Sequence, residues 1–131
     1  FSMDISNAYP KDAQVQEWKR TFVFSPEKGT LQLQENYLLN KFISPVELNF
    51  MTAQKVEMVK KGLVKFGDSS SSVVMEFDPK LFDFSVEKKE IALGRLRNSW
   101  GESVSRIVLK SKSTLLQNIH TINFKISTQS N

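Results

Sequence analysis

The chain has 131 residues, 40% of them hydrophobic and 24% charged, with a formal net charge of +4. That is one domain's worth of sequence, apolar enough to bury a core and too apolar for a disordered segment. It has no cysteine, which excludes a disulfide framework, a thiolate metal site and a cysteine nucleophile, and its basic residues are scattered among 14 acids rather than gathered into a nucleic-acid-binding run.

Hydrophobic alternation with a period of two runs along the whole chain. Residues 1–5 already alternate as a strand does, and a chain that starts at Phe1 rather than Met is expected to be a piece of something longer. Pro10–Gln14 predicts a short helical turn, opened by a proline where a helix loses least. Glu17–Ser25 and Thr30–Leu38 predict two strands joined by Pro26-Glu27-Lys28-Gly29, with Gly29 free to take a positive φ. Trp18 shares parity with Phe22 and Phe24, which assigns it to the core. Val46, Leu48 and Phe50 give the next strand. Val56 and Met58, then Leu63, Val64 and Phe66, flank Lys60-Lys61-Gly62 as a second hairpin.

The Ser69–Ser72 patch predicts a solvent-exposed turn before a strand at Val73–Phe77. Pro79–Phe82 predicts another short helical turn, and Phe82, Phe84 and Val86 another strand. Trp100 precedes Gly101 in an expected turn, which makes it the tryptophan expected to be exposed. Ile107 and Leu109, then Ile119–Ile126, supply the last two strands, and Ser127–Asn131 reads as a frayed end. About nine short strands separated by turns predict a single all-β domain over residues 1–131, an antiparallel β-sandwich. No stretch reaches the roughly 18 apolar residues that a membrane-crossing helix requires, so no membrane span is expected.

Chemistry-bearing patterns are sparse. The single histidine, His120, lies in the last strand on the face of Asn118 and Ile122, without the orienting partner a catalytic base needs. No His or carboxylate cluster has metal-ligand spacing, so neither a metal nor another cofactor is expected. Asp78 and Asp83 read as turn and capping residues, and Glu87 and Glu90 around Lys88-Lys89 as a solvated charge run. Nothing selects a glycosidase pair from the acids. The five glycines form no phosphate loop, and the serines no nucleophile elbow. No catalytic residue is assigned. Trp100 is the candidate substrate-binding residue, since a flat exposed ring stacks on a sugar face.

Met3-Asp4-Ile5, Ala8-Tyr9-Pro10, Trp18-Lys19-Arg20 and Leu48-Asn49-Phe50-Met51-Thr52 stand in a distinctive order, followed by Arg95-Leu96, Trp100-Gly101 and Arg106-Ile107. In that order and spacing the sequence resembles the C-terminal β region of heparinase II/III-like polysaccharide lyases, over nearly the whole chain. The resemblance implies a helical toroid as partner in the same parent protein, an acidic polysaccharide as substrate, β-elimination as its reaction, and a periplasmic or secreted location. The family's catalytic Tyr and His residues and its zinc site have no counterpart here, because Tyr9, Tyr37 and His120 fall in unrelated segments. The resemblance also implies that Arg20 and Arg106 cap or pair across strands and that Trp18 packs in the sandwich. The expected function is therefore a non-catalytic accessory domain. An independent carbohydrate-binding module and a protein-interaction sandwich pairing through an edge strand are the competing expectations.

Overall fold

A computed structural model describes residues 1–68 and 70–128. Among these residues the chain forms ten strands, one more than the alternation predicts. They are β1 (Ser2–Asp4), β2 (Val15–Ser25), β3 (Thr30–Leu39), β4 (Glu47–Thr52), β5 (Val56–Lys60), β6 (Leu63–Gly67), β7 (Ser71–Glu76), β8 (Phe82–Glu90), β9 (Ser103–Ser111) and β10 (Gln117–Thr128). One α-helix, α1 (Gly94–Trp100), interrupts the β8–β9 hairpin. Two single 3-10 turns, Ser6–Ala8 and Lys11–Ala13, link β1 to β2.

The strands make two antiparallel sheets that pack as a sandwich. The larger has the order β1-β2-β3-β10-β7-β6-β5 and the smaller β4-β9-β8. Two meanders, β1-β2-β3 and β5-β6-β7, are joined by the last strand, which inserts between them. Ile122 of β10 faces Leu33 on one side, while Phe124 faces Met75 on the other. The chain crosses to the small sheet at β4 and again at β8, then returns for β10.

Alternation decides which face each strand buries. Leu33, Tyr37 and Leu39 of β3 point inward with Trp18 of β2 and Ile122 of β10, and they meet Leu48, Phe82, Ile107 and Leu109 from the small sheet. Each fully buried side chain of this size contributes about 1.5–3 kcal/mol relative to exposure. The phenylalanines do not all serve this core: Phe77 and Phe82 are buried, whereas Phe24 is 58% exposed. Three strands cannot cover seven, and Phe24 lies where the small sheet runs out.

Several local expectations need correction. Pro79–Phe82 is no helix. Asp78 Oδ1 accepts the Lys80 amide at 2.9 Å and the Asp78 carbonyl accepts the Leu81 amide, closing a turn before the Phe82-x-Phe84 alternation takes over. Asp83 is a strand residue rather than a cap, with its carboxylate 3.6 Å from Lys112. Ser71 and Ser72 belong to β7 and Ser72 is buried, so the serine patch is not all exposed turn; Ser69 lies outside the described residues. Ser127 and Thr128 are not frayed but pair with Ser72 and Ser71. Residues 129–131 of the expected frayed end lie outside the described residues. Trp100 ends α1 rather than sitting in a turn. The seven residues of the helix are too few to establish a 3.6-residue period in the sequence.

Candidate functional site

The strongest concentration of polar groups lies inside the sandwich, and local structure builds it from the N-terminus. Asp4 Oδ1 accepts from both the amide and the hydroxyl of Ser6, and Ser6 Oγ in turn accepts the Trp18 amide at 2.8 Å. These bonds hold Asp4 below the usual carboxylate range and fasten the segment after β1 to β2. Tyr9 is thereby laid on Trp18 with ring centroids 5.0 Å apart, and Trp18 stacks on Tyr37 at 4.7 Å. Tyr9-Pro10 and Trp18-Lys19-Arg20, two of the segments behind the resemblance, thus meet in space.

Beside this stack lies Glu35, fully buried on β3. Its register partner on β2 is Arg20 and on β10 is His120. Arg20 Nε donates to Glu35 Oε1 and Trp18 Nε1 donates to Oε2, both at 2.5 Å. A buried carboxylate is tolerated when donors of this kind surround it. Arg106 likewise pairs with Glu87 across β8 and β9 at 2.5 Å, which holds Glu87 below the usual carboxylate range. Both arginines therefore pair across strands, and Glu87 stays at the exposed surface of the charge run while it pairs with Arg106 and Lys89.

His120 is also buried, at 2% exposure, with Phe82 edge-on to its ring. Asn118 Nδ2 donates to Tyr37 Oη, which leaves the Tyr37 proton for His120 Nε2 at 3.1 Å. That assignment places the ring proton on Nδ1, which has no partner among the described residues. Burial pushes the His120 pKa down and the Tyr37 and Tyr9 pKa values up. Each group is thereby held neutral in the chemistry of neutral pH.

A cleft of about 410 Å³ opens between β2–β3 and β4, with Tyr9, Arg20, Glu35, Asn49 and Phe50 in its walls. His120 is not among its lining residues. Two carboxylates line it: Glu35, which already accepts from Arg20 and Trp18, and Glu47 at the start of β4. This ensemble ties β2, β3 and β10 together and meets the small sheet where Phe82 packs on His120. No group of three or more His, Cys, Asp or Glu side chains is placed to hold a metal among the described residues.

Two features lie outside this cluster. Trp100, the candidate substrate-binding residue, is 53% exposed at the end of α1, far along the β8–β9 arm from the cleft residues. Nothing brings Trp100 together with Tyr9, Tyr37 or His120. Glu35 was not singled out in the sequence, although an acid at the parity of Leu33, Tyr37 and Leu39 is the signal that finds it. No described helix is long and apolar enough to cross a membrane. No protein-family model matches the chain, and no curated protein matches it in sequence.

Proposed function

We propose that the chain is a non-catalytic accessory β-sandwich domain of a heparinase II/III-like lyase, docked against that enzyme's helical toroid. The observation that carries this reading is the tip of the β8–β9 arm. Leu93, Leu96 and Trp100 stand at i, i+3 and i+7, which is one face of a helix. All three are exposed, and α1 has no buried residue at all. A seven-residue helix is below the length that holds itself in water, so packing against a second body is what stabilises such an element. Arg97 stands beside the apolar stripe and suits an acidic group on the docked partner.

The interior supports the same reading from the chemical side. β-Elimination needs a base for the sugar C5 proton, an acid for the leaving oxygen and a countercharge for the carboxylate, all at one point. Tyr37 and His120 bond each other inside the core, Tyr9 lies flat on Trp18, and Glu35 is committed to Arg20. Tyr9 and Trp18, from two of the segments behind the resemblance, are occupied with packing.

The test is hydrogen exchange on the longer protein encoded by a reading frame that includes these residues. A helical toroid region ahead of Phe1 is expected, with the amides of residues 94–100 strongly protected in the longer protein and fast-exchanging in the 131-residue chain. Equal exchange in the two, or a frame without a helical region, overturns the proposal.

A further inference from the structure

β8 is an edge strand of the small sheet, and its two ends fix its bonding pattern. Leu81 O accepts from Lys112 N at 2.8 Å, and Ile91 N donates to Glu102 O at 2.9 Å. Between them the antiparallel register runs unbroken from Phe82↔Ser111 to Glu90↔Ser103. Opposite residues of an antiparallel pair alternate between bonded and non-bonded, so the odd-numbered residues from Asp83 to Lys89 bond β9. The even-numbered residues turn their N–H and C=O groups away from β9, and among the described residues no strand pairs with β8 on that side. Phe82 is buried, but Phe84 is half-buried and Val86 and Lys88 are exposed. Their backbone groups form an open edge without a bulge, unlike the edge at β5. β4, at the other side of the small sheet, has six residues against nine.

We propose that this edge is a self-association surface, on which a second copy of the chain adds its own β8 antiparallel, about a two-fold axis at Val86. Phe84 then faces Lys88 of the other copy and Val86 faces Val86, each pair exchanging two backbone hydrogen bonds, and the two three-stranded sheets become one. The side chains select this register. Asp83 of each copy stands opposite Lys89 of the other, twice by symmetry, in non-bonded pairs, where opposite side chains come closest. Ser85 stands opposite Glu87, whose carboxylate accepts from the hydroxyl. On the inner face the stem of Lys88 lies along the Phe84 ring, and Val86, 42% exposed, is covered by its own copy. Sliding the strands by two residues sets Asp83 opposite Glu87, or Glu87 opposite itself. Sliding by one sets the open edge against groups already bonded to β9, and no ladder forms. Charges that ordinarily guard an edge against pairing therefore admit one partner, the same strand reversed. Within the chain, Asp83 and Lys89 make only surface pairs, with Lys112 at 3.6 Å and Glu87 at 3.4 Å, which hold them loosely. One strand laid on another buries less than the roughly 1,200 Å² of a standard interface, so the dimer is weak, with a Kd on the order of 0.1 mM. The surface is separate from the inter-sheet cleft and from the apolar tip of α1.

The experiment is sedimentation equilibrium of the 131-residue chain from about 10 µM to about 1 mM, a range that brackets the expected Kd. A monomer–dimer equilibrium is expected, weaker at physiological than at low salt. Val86→Pro removes an outward N–H that no bond within the chain uses, and proline is tolerated at such an edge position. It should abolish the dimer while the β8–β9 cross-strand contacts seen by NMR persist. Asp83→Lys and Lys89→Asp each turn both opposite-charge pairs into like-charge pairs, and each should weaken association by roughly tenfold. Mixed in equal amounts, the two variants restore an opposite-charge pair at both positions, and the mixture should associate as tightly as the parent chain. A chain that stays monomeric throughout, a dimer that survives Val86→Pro, or a mixture no tighter than either variant alone overturns the proposal. Because the readout is self-association of this chain, its failure leaves the accessory-domain reading standing, and the failure of that reading leaves the β8 edge standing.

Discussion

Glu35 occupies a position that alternation reserves for apolar side chains, and its neighbours decide the consequence. Removing one partner from a buried ion pair leaves the other desolvated and uncompensated, whereas replacing both by apolar groups is often neutral. Arg20→Met strands the Glu35 carboxylate with the Trp18 N–H alone, and should destabilise by about 3–5 kcal/mol. The double variant Arg20→Met, Glu35→Met should recover most of that loss. Urea denaturation of both variants checks the pair, and a double variant no more stable than the single one contradicts it.

His120 gives the pH dependence its sign. Its folded pKa lies below its ordinary value of 6.5 because burial penalises the charged ring. The unfolded chain therefore binds more protons in the window just below that value, and stability rises with pH there. The contribution is complete above about pH 6.5 and is lost as pH falls through the lowered folded value. His120→Gln keeps a neutral polar group and should lose stability at neutral pH, because the ring packs on Tyr37 and Phe82. It should also remove the slope in this window. An unchanged slope in denaturation midpoints between about pH 7 and about pH 5 refutes the assignment. Sequence parity correctly placed His120 beside Asn118 and Ile122, but not its burial, which depends on Phe82 crossing from the other sheet.

At the scale of elements, β10 holds the large sheet together because it is the only strand bonded to both meanders among the described residues. The hairpins were legible in the sequence, since each turn carries its own chemistry. Gly62 shows this best: its φ is +84°, and an added Cβ would stand 2.6 Å from the Phe77 carbonyl oxygen. The same site bonds Phe77 N to Gly62 O at 2.9 Å, tying the β5–β6 turn to the end of β7. Gly62→Ala should therefore cost about 1–3 kcal/mol, from the φ strain and the clash together. Thermal unfolding at neutral pH is the check, and a midpoint unchanged from the parent contradicts the turn geometry. What was not legible was pairing at long range. Neither the insertion of β10 between β3 and β7 nor the split into seven and three strands leaves a local trace. The helical expectation at Pro79–Phe82 failed because a proline opens a turn as readily as a helix, and the strand alternation that follows wins.

At the scale of the molecule, the unequal sheets account for both the open cleft and the exposed arm. The outermost strands of the large sheet are short: β1 has three residues, and β5 has five with a bulge between Met58 and Lys60. Short, bulged, lysine-bearing edges resist pairing with a further strand, whereas the small sheet is edged by β4 and by the nine-residue β8. The candidate site was only partly legible because its charge partners come from different strands. Trp100 was foreseen as exposed, but the stripe it forms with Leu93 and Leu96 exists only once α1 does.

The central proposal is that this chain supports a lyase without performing its chemistry. The most direct measurement follows the absorbance of the unsaturated uronate product with heparin, heparan sulfate and alginate as substrates. The account predicts product from the longer protein and none from the purified 131-residue chain. Product formed by the chain itself, and abolished by Tyr9→Phe, Tyr37→Phe or His120→Gln, would contradict it.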